Sequence, residues 1–164
     1  MAREMTGDEI RNFLLEGTRT GKLATVRADR RPHVTPVWFV LDVPPLSPSQ
    51  GSGFAATDGK AAVAADDLML TTGATSLKAK ALRRDVRACI CVDDQEPPYS
   101  YVMIEGTAAL SDDLDELRRW ATAIGGRYMG ADRAAEFGSR NAVPGELLVR
   151  ITPTHVVATA DMAD

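Results

Sequence analysis

The sequence predicts a mainly β chain of α+β type: six or seven antiparallel strands, closed or partly closed into a barrel, with flanking helices. Three observations carry this. Short stretches of alternating apolar and polar residues recur along the chain. Tight turns join many of them, and the few helices do not form a regular β-α-β series, so a doubly wound parallel sheet is disfavoured. At 164 residues the chain is expected to be one domain, residues 1–164, able to bury a core without disulfides or metal.

Thr6-Gly7-Asp8-Glu9 has the Thr-x-x-Glu form of a capping box ahead of Ile10, Phe13 and Leu14 at helical spacing, and Gly17 is placed for a C-terminal cap. Residues 21–27 alternate as a strand, residues 28–31 turn, and residues 32–41 read as a second strand completing a hairpin. Pro36 lies inside that second strand. It has no N–H to give the ladder, so the strand is bulged or at an edge there. The backbone of Val34, Thr35 and Val37 is then open to a planar heterocycle, unless the proline serves only to guard an edge against aggregation.

Residues 43–66 are rich in Pro, Ser, Gly and Ala. Gly51-Ser52-Gly53-Phe54-Ala55-Ala56 has the form G-x-G-x-x-A, but a Pro/Ser-rich run stands where a dinucleotide fold needs a strand, so the segment reads as a long loop. Residues 67–72 return as a strand, a basic helix follows, and residues 86–93 form another strand. Glu96-Pro97-Pro98 marks a turn. Residues 99–110 read as a long strand with Tyr99 and Tyr101 on one face, either a stacking wall for a ring or ordinary half-buried aromatics. Ser111-Asp112-Asp113 caps a helix carrying Leu114, Leu117, Trp120, Ala121 and Ile124, interrupted at Gly125-Gly126 and followed by a helical piece at 131–137. Residues 146–152 and 155–159 close the domain as two strands around Pro153, with His155 a strand histidine making a local hydrogen bond.

The net charge of −4 and the pI near 5.2 argue against a general nucleic-acid or anionic-membrane binder. The first residues are too charged for a signal peptide and no apolar run is long enough to span a bilayer, so the expected location is the cytoplasm. Cys89 and Cys91, at i and i+2 on a strand, share a face without disulfide geometry. With His33 and His155 far away in sequence they make no metal site, and they read as buried, reduced thiols.

Against that acidic background, residues 67–94 form a basic exception. A strand, a small-residue loop, a basic helix and a second strand place the hydroxyls of Thr71, Thr72, Thr75 and Ser76 near the start of the helix. Free backbone N–H groups and the positive dipole end point there. Lys78, Lys80, Arg83, Arg84 and Arg87 follow, offering donors and countercharge to an anionic tail such as a phosphodiester. The same stretch also suits a solvated amphipathic helix. There is no Gly-x-Ser-x-Gly elbow, Walker loop or His-Glu-x-x-His. The acidic pairs sit at element ends, where charge is readily solvated. No side chain is assigned a catalytic role, and an enzyme built on this chain must borrow a cofactor.

Four stretches, taken together in this order and spacing, resemble the split β-barrel superfamily of flavin- and deazaflavin-binding proteins that includes the pyridoxamine 5'-phosphate oxidases. They are Gly21-Lys22-Leu23-Ala24-Thr25-Val26, Arg31-Pro32-His33-Val34-Thr35-Pro36-Val37-Trp38-Phe39, Lys78-Ala79-Lys80-Ala81-Leu82-Arg83-Arg84-Asp85-Val86-Arg87 and Glu105-Gly106-Thr107-Ala108. Within that superfamily they are most similar to the actinobacterial reductases that use deazaflavin coenzyme F420. The resemblance implies a cofactor groove at a homodimer interface and hydride transfer between reduced F420 and an unsaturated or quinone-like small molecule. FMN, in an oxidase or flavin reductase, is the alternative cofactor, and a non-catalytic F420-storage protein is the alternative role. It implies phosphate contacts from Lys78 and Lys80, with Thr71, Thr72 and Ser76 nearby. Thr35, Pro36 and Val37 would lie against the ring, and Trp38, Tyr99 and Tyr101 would form the pocket wall, the tyrosines from the other subunit. Two departures stand out: Ala81 replaces an asparagine common in this helix, and the 43–66 loop is long.

Overall fold

The computed structural model describes residues 1–43 and 66–163. Over those residues the chain is an antiparallel split barrel of eight strands with four flanking α-helices. A short strand β1 (Arg3–Glu4) leads to helix α1 (Gly7–Leu15). Thr6 and Glu9 close the expected capping box, and Gly17 turns the chain away with φ +56°. The hairpin β2 (Gly21–Val26) and β3 (Pro32–Val37) follows, then β4 (Val40–Asp42). Strand β5 (Asp67–Gly73), helix α2 (Leu77–Arg84), strand β6 (Arg87–Asp93) and the long strand β7 (Tyr101–Ser111) come next. Helix α3 (Leu114–Met129), a 3₁₀ turn at Ala131–Arg133, helix α4 (Ala134–Asn141) and strand β8 (Glu146–Ala160) complete the fold.

The strand order is β3-β2-β6-β7-β8-β5-β4, with β1 added beside β8. Strands β3 and β4 therefore occupy opposite ends of the sheet although only Trp38 and Phe39 separate them in sequence. Two residues of chain reach only about 10 Å, so the two sheet edges converge at this point while the barrel stays open elsewhere. Phe39 is fully buried at that junction and plugs it. Inward side chains of the strands meet Ile10, Leu14 and Leu82 in the main core. A second cluster forms where α3 covers the other face of β4, β5 and β8 through Leu117, Trp120 and Ile124 against Val40, Met69 and Leu148.

Several expectations change. The single strand expected over 32–41 breaks at Trp38-Phe39, because its second half pairs with β5 rather than β2. Pro36 does sit on an edge strand. Tyr99 lies outside β7, with φ +54° in the turn before it, so it does not share a strand face with Tyr101. Helix α3 runs through Gly125-Gly126 instead of stopping. A Cβ at Gly125 would come within 2.4 Å of the Phe137 Cβ, so the glycine admits α4 rather than ending α3. Residues 146–160 form one strand, because a bulge at Thr154 of β8, opposite the Glu105–Gly106 step of β7, absorbs the irregularity beside Pro153. Cys89 and Cys91 share a face as expected, but it is the half-exposed outer one rather than the core. The G-x-G-x-x-A stretch and nearly all of the 43–66 loop lie outside the described residues.

Candidate functional site

The local chemistry around α2 starts with Ser76. It occupies the N-cap in extended conformation, and its Oγ accepts from the Ala79 N–H at 3.1 Å. Its Oγ also lies 3.0 Å from the Thr72 Oγ1, tying the helix start to the end of β5. No acidic residue stands in the first turn, so the helix supplies no carboxylate of its own to the positive dipole end, although the Glu146 carboxylate of β8 lies beside Gly73 ahead of it. Thr71 does not join this pair: successive strand residues point to opposite faces, and only Thr72 turns toward Ser76. Thr75 is exposed in the loop.

The basic residues divide by role. Arg83 donates to the Ala74 carbonyl at 2.6 Å and clamps the loop before the helix, while Arg84 donates to the Val26 carbonyl. Arg87 pairs with Asp85 at 2.7 Å and, chiefly through that hydrogen bond, holds the Asp85 carboxyl down at about 2. Lys78 and Lys80 make no ion pair among the described residues. They also do not converge. Each helical residue turns about 100°, so two positions along the helix the side chains point to nearly opposite flanks. Lys78 is half-buried in the first turn of the helix, whereas Lys80 joins Leu77, Ala81 and Arg84 facing the β2–β3 turn.

On β3, Thr35, Pro36 and Val37 pair with Leu23, Lys22 and Gly21. Val37 turns inward and is buried; Val34, 60% exposed, and Pro36 turn outward, and Trp38, 39% exposed, extends that row. The result is an apolar strip on an open sheet edge. Trp38 stacks on Tyr128 of α3 with ring centroids 4.9 Å apart and planes within 2°, and it meets Phe137 of α4 at 6.0 Å. Tyr128 donates to the Arg19 carbonyl at 2.8 Å and accepts from the Phe39 N–H at 3.3 Å. The neighbouring Arg127 donates to the carbonyls of Leu14 at 2.7 Å, Phe39 at 2.8 Å and Gly17 at 3.1 Å. Sequence reasoning missed these two braces, since nothing local in α3 marks a partner that is 89 residues away.

Tyr101 opens β7 opposite Asp93 and Thr159, whereas β5 runs into α2 from the Ser111 end of the same strand: Thr71 pairs with Leu148, and Leu148 with Ser111. Tyr101 and Ser111 are the two ends of β7, roughly 30 Å of extended chain apart. One copy of the chain therefore does not bring Lys78 and the tyrosines together. Among the described residues no group of His, Cys, Asp and Glu has the arrangement of a metal site. No helix of the described residues is long and apolar enough to cross a membrane.

Residues 6–160 match the pyridoxamine 5'-phosphate oxidase family. Among solved structures, a conserved hypothetical protein from Mycobacterium tuberculosis is similar at 27% identity and TM-score 0.70, over 94% of this chain and 84% of that one. An F420 reductase is similar at 22% identity and TM-score 0.57, over 88% and 94% of the two chains. A FAD-binding protein from Mesorhizobium loti is similar at 18% identity and TM-score 0.57, over 97% and 96%. The last two likenesses concern the fold. No curated protein sequence matches the chain.

Proposed function

The chain belongs to the pyridoxamine 5'-phosphate oxidase family, a split-barrel group containing flavin- and deazaflavin-binding oxidoreductases, and from that premise we propose that it is an F420-dependent reductase working as a homodimer. One observation carries the reading: a helix start with two hydroxyls joined at 3.0 Å, no acidic residue in its first turn, and Lys78 beside it. That donor set fits a phosphodiester. Thr72, Ser76 and Lys78 bind the phosphorylated arm. The outward strip of Val34, Pro36 and Trp38 offers an apolar, donor-poor surface on which a planar ring rests, and it excludes water there. When bound, reduced F420 supplies the hydride; the protein's part is to fix the orientation of cofactor and acceptor.

Two features support the homodimer. Completing the pocket with Tyr99 and Tyr101 calls for a second copy, since one chain holds them far from Lys78. The outer sheet face also carries half-exposed Ala24, Cys89, Cys91, Met103 and Val157 among the charged side chains of Lys22, Asp93 and Glu105, a mixed surface that suits burial against another such face. The protein is expected to act in the cytoplasm on a small molecule, without nucleic acid or membrane as partner. FMN is the runner-up cofactor, because a helix start that reads phosphate accepts its phosphomonoester too.

The test is turnover. Protein mixed with reduced F420 and a quinone such as menadione should accelerate oxidation of the cofactor, one hydride from F420 and one proton from water making the hydroquinone. Absence of acceleration across quinone and enone acceptors, with F420 bound, would replace the enzyme by a storage protein.

A further inference from the structure

A cleft of about 340 Å³ separates the β2–β3 turn from the flank of α2, lined by Arg27, Arg31, Lys80 and Arg84 with a single carboxylate, Asp29. Asp29 is already committed: the Arg31 guanidinium lies 2.6 Å away and, through its hydrogen bonds, holds that carboxyl below the usual carboxylate range. Among the described residues, Arg27, Arg31, Lys80 and Arg84 thus bring four positive charges to one space against the single carboxylate of Asp29, in a chain of net charge −4. A second observation points the same way. The Arg27 Nε is buried without a hydrogen-bond partner, as are the Thr25 Oγ1 and the His33 Nδ1, and Thr25 and His33 stand directly opposite each other in the same hairpin. Thr25 is only 3% exposed. Buried polar atoms left unpaired are rare in native proteins. Of these three residues only Arg27 lines the cleft, and an unpartnered guanidinium N–H beside surplus positive charge describes a place for an oxyanion oxygen.

We propose that this cleft is a second anion site, distinct from the helix start at Ser76 and Lys78, which binds a multiply charged small anion bearing phosphate or carboxylate groups. Lys80 belongs to it rather than to the Lys78 site, because the two lysines leave α2 on opposite flanks. The proposal does not rest on the cofactor reading, since it concerns different residues and its probe contains no ring.

The experiment is calorimetric titration of the full chain with inorganic pyrophosphate and, separately, citrate. Tighter pyrophosphate binding identifies a phosphoryl site and tighter citrate binding a carboxylate site; either supports the cleft. Lys80→Gln and Arg27→Gln should each weaken the preferred anion about tenfold, the loss expected for one charged hydrogen bond. Arg133→Gln, which removes a surface charge from the 3₁₀ turn before α4, outside the cleft lining, should leave it unchanged. Lys80 is exposed, so its variant folds even where the Arg27 variant does not. Binding of neither anion, or binding abolished by Lys78→Gln but indifferent to Lys80→Gln, overturns the proposal.

Discussion

The Thr72 Oγ1 and the Ser76 Oγ lie 3.0 Å apart, and through them the last turn of β5 is fastened to the cap of α2. Ser76 also receives the Ala79 N–H, so Ser76→Ala removes both links. The expected loss is about 1 kcal/mol of stability, as for other N-cap hydroxyls, measured by urea unfolding. Weaker F420 binding should accompany it, because the helix start loses its fixed geometry.

Lys78→Ala should weaken F420 binding at least about tenfold, or 1.4 kcal/mol, with the circular dichroism and melting point unchanged. Its half-buried stem contributes packing that alanine partly retains. Unaltered affinity by titration removes Lys78 from the site.

Arg127 holds three carbonyls from the end of α1, the turn after it and the β3–β4 crossing. Replacing it leaves half-buried acceptors unpaired, and Arg127→Met should cost about 2–4 kcal/mol by chemical denaturation. The crossing positions Trp38, so F420 affinity should fall with stability rather than independently of it.

Gly125→Ala is expected to destabilise by about 1–3 kcal/mol, because the new methyl group meets the Phe137 Cβ at 2.4 Å and α4 must shift. Gly126→Ala, whose nearest neighbour is the Ala134 side chain at 3.4 Å, should be far milder. Thermal melts of the two variants compare them directly.

The Glu9 carboxyl is held at about 2, first by its hydrogen bond from Arg3 and then by the Thr6 N–H. A folded value below the unfolded one means the contribution is fully present above about pH 4.5 and lost as pH falls toward 2. Glu9→Gln should flatten the acid limb of the stability curve over that window. An NMR titration of the carboxyl that gives an ordinary glutamate value would contradict this.

Much of the fold was legible because local chemistry agreed with it. Thr6 and Glu9 announce a capping box that forms, Ser76 announces the start of α2, and Pro36 announces an edge. What the sequence concealed depended on distant partners. Residues 32–41 alternate as one strand would, and only pairing with β5 shows that the second half belongs to the other end of the sheet. Gly125-Gly126 looks like a helix stop until α4 is seen to need the space. The Tyr99–Tyr101 alternation is likewise deceptive, since a turn takes Tyr99 before the ladder begins. At the site, the Ser76–Thr72 link follows from strand parity and cap position. The divergence of Lys78 from Lys80 follows from helical geometry, but where each flank faces does not.

The central claim is that the α2 start grips the phosphorylated arm of a ring cofactor lying against Val34, Pro36 and Trp38. Parallel titrations of the purified protein with F420 and with FMN, followed through the fluorescence of Trp38 and Trp120, test it most directly. Saturable quenching by F420 at lower concentration than by FMN is expected, with most of the signal lost in Trp38→Phe. Tighter binding of FMN would transfer the site to a flavin, and no quenching by either would contradict the account at its root.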